Sequence, residues 1–322
     1  MRWVSLIVAG VMAVSCAGAS WAFGTISGLG QNREHERITR HALGCGPGVD
    51  PKVCFGPKSL DEIAGARGSW GAVGAPDNPA RGLLLSSPAH CDNGDWLATP
   101  GYPHSQADAR ANLVQCRAGM SAHLDEAVRD AAALLDARGE LDDTQIPSFI
   151  ACTYLGQKGR AKCNVLEDFG LALHAAQDFY AHSNWVDHAA PGPINLASPV
   201  GLGHPGPAPW LDLRRDTPFP DGLITGCFDT FSLVSPAKGC AGHVKHEDLN
   251  KDKGQIDPTI GAGTTNRGRI DANFRLAVEA AIADTRDKWA ALRERLVAAY
   301  GPAQGGRMIC AITHDRPATE CR

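Results

Sequence analysis

The run Leu171-Ala-Leu-His174-Ala-Ala-Gln-Asp178-Phe-Tyr-Ala-His182-Ser-Asn-Trp-Val-Asp-His188 decides how this chain is read. On an α-helix His174, Asp178 and His182 recur every fourth residue and form one stripe, drifting about 40° per step, with Glu167 and Trp185 along the same edge. Val165, Phe169, Ala172, Leu173, Ala175, Ala176, Phe179 and Tyr180 cover the other faces, which predicts an enclosed helix. Ionisable groups in such a place must be paired, hydrogen-bonded or bound to a metal, because burying one alone is costly.

The periodicity carries this helix from Val165 to Asp187, with Asn164 as its cap. Before it, Leu113, Met120, Leu124, Ala127, Leu134 and Leu135 recur at helical spacing and predict a long helix over 105–138, stopped by Gly139. After it, Phe274, Val278, Ile282, Trp289, Leu292 and Leu296 predict another from about Ile270 to Gly301-Pro302. Shorter helices are expected over 31–43 and 144–154. The segment His188–Gly222 holds eight prolines and is read as a long irregular loop. Strand-like alternation is scarce, so the expected fold class is all-α: one mainly helical domain over 23–322 with long loops.

Residues 1–22 read as a secretory signal peptide: Arg2, an apolar Val4–Val14 stretch too short to span a bilayer, then Ala17, Ala19 and Ala22. Cleavage would leave Trp21 or Phe23 first; Val14-Ser15-Cys16 is a poor lipobox that leaves a lipid anchor through Cys16 as a lesser alternative. No later stretch suits a transmembrane helix. Removing Cys16 from the 11 cysteines leaves an even set whose neighbouring pairs predict five short-range disulfides, hence a periplasmic or secreted protein. With net charge −4 and no Lys/Arg block, the chain has no electrostatic footprint for duplex DNA.

Two His and one Asp spaced i, i+4, i+8 match the donor preferences of zinc, although a lone H-x-x-x-D pair also reads as an ion pair. A second run, Ala241-Gly242-His243-Val-Lys-His246-Glu247-Asp248, again sets His243 and Glu247 four apart, within an otherwise solvated-looking stretch from Lys245 to Asp252. Further candidates are Glu34 and His35, then His90, Asp92, Asp95 and His104. There is no G-x-S-x-G elbow, Walker loop or dinucleotide fingerprint.

With His35, Asp95, His104, the H-x-x-x-D helix and the Gly242-His243-Val244-Lys245-x-Glu247 run in that order, the chain resembles the zinc-dependent phospholipase C and single-strand nuclease superfamily. The resemblance spans residues 21–300 in the order of motifs. The string Asp178-Phe-Tyr-Ala-His182-Ser-Asn-Trp185 is also similar to the heterokaryon-incompatibility protein C family. The superfamily likeness implies an all-helical secreted hydrolase with two or three zinc ions held by His35, Asp95, His104, His174, Asp178, His182, His243 and Glu247. His188 stands as an alternative to His182, and His90 or Asp92 as alternatives in the Asp95–His104 region. It further implies a bridging role for Asp178, a water-orienting role for Asp95, and a phosphate-ester substrate, either phospholipid or single-stranded nucleic acid. The alternative expectation is a non-catalytic secreted helical protein whose structural metal or buried polar network serves a partner-binding surface.

Overall fold

Alanine, glycine and large apolar side chains alternate through residues 161–182, and the helix they form is buried at every position except Asn164. The structure, a computed structural model, describes residues 23–28, 31–47, 49–66, 69–148, 150–230, 232 and 239–321. The helices are α1 (Glu34–Leu43), α2 (Pro57–Ala64), α3 (Ser87–His90), α4 (Gln106–Ala131), α5 (Ala161–His182), α6 (His246–Leu249), α7 (Asn273–Thr313) and α8 (Pro317–Glu320). Among the described residues, strand structure is confined to a two-residue antiparallel ladder, Ser27–Gly28 against Gln31–Asn32, and isolated bridges. The fold is helical, as expected. The expected signal peptide, with Cys16 and Trp21, lies outside the described residues.

Helix α5 is the axis of the molecule, flanked by α4 and α7, with α1 laid against α7. At Gly170 it meets the 72–73 segment, where an added Cβ would stand 2.4 Å from the Ala72 carbonyl carbon. Only a glycine lets the 72–73 segment press this close, and that segment matters one turn later. Around the axis, Leu113, Met120 and Leu124 of α4 and Phe274, Val278 and Leu292 of α7 complete one continuous core.

Several helix ends differ from expectation for tertiary reasons. Helix α5 begins at Ala161 rather than after Asn164, because Gln145 accepts the otherwise unpartnered amides of Ala161 and Lys162. Asn164 instead folds back on Gly159. The same Gln145 contacts hold the 144–154 stretch as a turn and extended chain; its described residues form no helix. At the other end α5 stops at His182, since Ser183 turns out to bridge Thr225 and Asn184 exchanges backbone hydrogen bonds with Ile224 and Leu202. Trp185, Asp187 and His188 are therefore off the helix. Helix α4 ends at Ala131 in a 3-10 turn over Ala132–Leu134. Gly301, at φ 77°, breaks the axis of α7 where a stop was expected, but helix resumes after it to Thr313.

The 188–222 segment is irregular apart from the 3-10 turn Pro209–Leu211, which drives Trp210 and Leu211 into the core. The cysteine pairs at disulfide distance are the five neighbouring ones, Cys45–Cys54, Cys91–Cys116, Cys152–Cys163, Cys227–Cys240 and Cys310–Cys321, with Cα separations from 5.0 to 5.9 Å. They fit maturation in an oxidising compartment. No helix among the described residues is long and apolar enough to cross a membrane.

Candidate metal centre

His174, Asp178 and His182 leave α5 one turn apart and are fully buried. Asp178 uses both oxygens: Oδ1 lies 3.1 Å from His35 Nε2, and Oδ2 lies 2.9 Å from His90 Nδ1 and 3.0 Å from His174 Nε2. Asp77 closes this group, with Oδ1 3.7 Å from His174 Nε2 and 4.0 Å from His90 Nδ1, while Thr25 donates to its other oxygen. One turn along α5, His182 opens a second group. Its Nδ1 lies 3.2 Å from Asp92 and its Nε2 3.1 Å from Asp252, and His246 stands 3.1 Å from Asp92 and 3.5 Å from Asp252. None of these nine side chains belongs to a residue more than 5% exposed.

Where the imidazole protons sit decides what such a set can do. His174 faces the Val73 carbonyl through Nδ1 at 2.8 Å, and a carbonyl only accepts, so the proton is on Nδ1. His182 likewise meets the His90 carbonyl through Nδ1. His35 Nδ1 lies 2.7 Å from Gln177 Oε1, and with the Thr39 and Thr285 hydroxyls accepting from the amide nitrogen the ring donates from Nδ1. In each ring the Nε2 lone pair is left facing a carboxylate oxygen at 3.0–3.1 Å. Two acceptors at that separation repel unless a cation stands between them, either a second ring proton or a metal ion. Giving the far ring N–H to a carbonyl or amide is also what orients a metal-bound histidine.

Within the two groups His35 Nε2, His90 Nε2, Asp178 Oδ1, His246 Nε2 and Asp252 Oδ2 are buried without a hydrogen-bond partner, and the His35–Asp178 and His246–Asp252 atoms face each other in pairs. Burial opposes the imidazolium of His182, yet Asp92, Asp178 and Asp252 raise its pKa well above the ordinary histidine value. Burial lowers that of His174. Burial also opposes ionisation of Asp178, but the His174, His182 and His35 rings hold its carboxyl well below the usual range. The set is therefore four aspartates and five imidazoles in one buried region, a donor chemistry suited to zinc.

Comparison with protein-family models, curated proteins and solved structures returned no match. The chemistry rests on the geometry.

Of the residues expected from sequence, the structure brings together His35, His174, Asp178 and His182, and it places His90 and Asp92, named as alternatives, among them. Asp95, His104 and His243 form a separate group: His243 Nδ1 is 2.7 Å and His104 Nδ1 3.3 Å from the Asp95 carboxylate, which also accepts from Tyr102. No ion pair or hydrogen bond among the described residues links that group to α5. Glu247 is exposed beside Lys245 at 3.6 Å and joins neither group. His188 is exposed and pairs with Asp271, and Glu167 accepts from Gly156 and pairs with Arg81. Glu34 accepts from the amides of Asn32 and Gly254, tying α1 to the segment that carries Asp252.

Asp77, His246 and Asp252 were missed. Asp77 sits in a Gly/Pro-rich stretch with no period to flag it, and Asp252 is flanked by lysines that make it look solvated. The one signal was the second histidine of His243-Val-Lys-His246, which α6 turns inward while His243 stays at the surface.

A cleft of about 750 Å³ opens nearby, lined by Trp96, Leu97, Arg110, Ile194, Phe219 and Ile224 among others. Ile224 in its lining is hydrogen-bonded to Asn184, and the next residue, Thr225, to Gly94, the backbone that also carries His182 and Asp92. None of the nine donors lines it.

Proposed function

We propose that the protein is a zinc-dependent phosphoric-ester hydrolase that relies on water and has no side-chain nucleophile. The observation that carries this reading is the set of buried Nε2 atoms turned toward carboxylate oxygens, with both sides of the His35–Asp178 and His246–Asp252 gaps lacking a hydrogen-bond partner. His35, Asp77, His90, His174 and Asp178 would hold metal at one end, and Asp92, His182, His246 and Asp252 at the other. Zinc in such a place lowers the pKa of a bound water toward neutrality and polarises phosphoryl oxygens.

The chain's own contribution is fixation and burial. Asp178 presents an oxygen to each side of its group, Val73 and His90 carbonyls and Gln177 contact the rings, and Phe23 packs edge-on to His35 at 5.9 Å. The cleft beside the site supplies apolar walls and the exposed Arg110 guanidinium, set over Phe219, for a substrate carrying both an apolar part and a phosphate.

A second reading rests on the depth of the donors: a set this buried also suits a closed structural metal in a protein whose surface serves a partner. The two separate in one experiment. The disulfide-bonded protein, supplied with zinc, is assayed on bis(p-nitrophenyl) phosphate, phosphatidylcholine vesicles and a single-stranded oligonucleotide. Hydrolysis that falls by roughly two orders of magnitude or more in Asp178→Asn supports the enzyme. Zinc-loaded protein with no turnover on any substrate supports the structural metal.

A further inference from the structure

Three imidazoles in the centre owe their metal-facing lone pair to whatever holds the other ring nitrogen. For His174 that partner is a backbone carbonyl, which no substitution removes, and for His182 it is the His90 carbonyl together with the Asp92 carboxylate, each 3.2 Å away. For His35 it is a side chain, the fully buried Gln177. The amide Nε2 of Gln177 lies 3.0 Å from Thr39 Oγ1 on α1 and 3.1 Å from Thr285 Oγ1 on α7, so hydroxyls from two different helices hold one end of the amide and leave Oε1 2.7 Å from His35 Nδ1. The reversed amide would press N–H groups against His35, drive its proton to Nε2, and give a ring that donates to Asp178 with no lone pair for a metal. The fate of His35 as a donor thus turns on one uncharged residue beside Asp178.

We propose that Gln177 is a positioning residue: with the Thr39 and Thr285 hydroxyls accepting from its amide nitrogen, it turns Oε1 to His35, keeps the His35 proton on Nδ1 and so leaves Nε2 free as a metal donor. This rests on the metal reading above for its consequence, though not for the proton position itself. The threonine contacts also couple the centre to the packing of α1 and α7 on α5. Leucine at 177 would keep the volume and lose the acceptor, whereas glutamate would keep an acceptor for the Nδ1 proton while the threonine hydroxyls turn to donate.

The test uses the uniformly ¹⁵N-labelled, disulfide-bonded protein and two readouts. Long-range ¹H–¹⁵N correlation reports the His35 tautomer, with and without zinc, and competition with a chelator reports zinc affinity. The expected result is an Nδ1-protonated His35 in the wild type and in Gln177→Glu, with zinc affinity in that variant within a few-fold of wild type. Gln177→Leu should lose the tautomer preference and bind zinc about 10–100-fold more weakly. An Nε2-protonated or doubly protonated His35 in the wild type overturns the proposal, as does wild-type zinc affinity in Gln177→Leu. If the leucine variant fails to fold, the wild-type and glutamate tautomers still decide. A wild type that holds no zinc overturns the metal reading alone, because the His35 tautomer is read without it.

Discussion

In the α5 centre His35 and His174 turn Nδ1 to an amide oxygen and a backbone carbonyl, away from the carboxylates; around Asp95, His243 turns Nδ1 to the carboxylate itself, and His104 Nδ1 lies 3.1 Å from the Asp95 carbonyl and 3.3 Å from its carboxylate. Both are clusters of histidine and aspartate with contacts near 3 Å, yet one is left with lone pairs facing acceptors and the other is satisfied as it stands. Tyr102 makes the difference plain. Its hydroxyl accepts from the Val244 amide and donates to Asp95, completing that carboxylate's shell, while Asp178 Oδ1 and Asp252 Oδ2 have no donor at all. Proximity of Asp and His is therefore a weak sign of a metal; the direction of the ring proton is the strong one.

That contrast breaks if the two aspartates behave alike. Asp178→Asn should abolish zinc retention, whereas Asp95→Asn should leave the zinc content unchanged and cost about 1–3 kcal/mol of stability through its lost hydrogen bonds, read by elemental analysis beside thermal unfolding. Next in size, Gly170→Val forces a side chain into the Ala72 carbonyl and pushes away the Val73 carbonyl that holds His174; a loss of about 3 kcal/mol is expected in denaturant unfolding, together with weakened zinc binding.

A buried cation remote from both groups provides the pH control. Burial lowers the pKa of Lys162 from its ordinary 10.5 to about 7, in a cage of Ser59, Ser148 and the His314 carbonyl. Between those values the unfolded chain binds more protons than the folded one, so stability should rise with pH above 7, by at most roughly 1.4 kcal/mol per pH unit, and the charged amine is penalised below it. Lys162→Met should flatten that rise between pH 7 and 9. The smallest effect belongs to Glu247→Ala, expected within about 0.5 kcal/mol of wild type with zinc content intact, since the side chain is exposed.

What was legible in the sequence was whatever a single helix encodes. The apolar circumference of α5 announced its burial, and the stripe His174, Asp178, His182 announced its chemistry, because helical periodicity places those residues without any help from the rest of the fold. The ends of α5 were not legible, since Gln145 and Thr225 set them from distant parts of the chain. The remaining donors arrive on irregular segments: Asp77 from the Gly/Pro-rich stretch, His90 from the last residue of the one-turn α3, Asp252 from the chain just beyond α6. No period marks such residues. The pairing of neighbouring cysteines was legible because short loops close most readily, and those five pairs are the ones at bonding distance.

The central claim is that the Nε2–carboxylate gaps are bridged by metal and not by extra ring protons. The most direct measurement is zinc per chain, by elemental mass spectrometry, in disulfide-bonded wild type and Asp178→Asn prepared without chelator and then dialysed against zinc. Two or three ions in the wild type, lost in the variant, is the predicted result. A wild type that takes up none, and whose thermal stability zinc does not change, would contradict it and turn the centre into a network of buried imidazolium–carboxylate pairs.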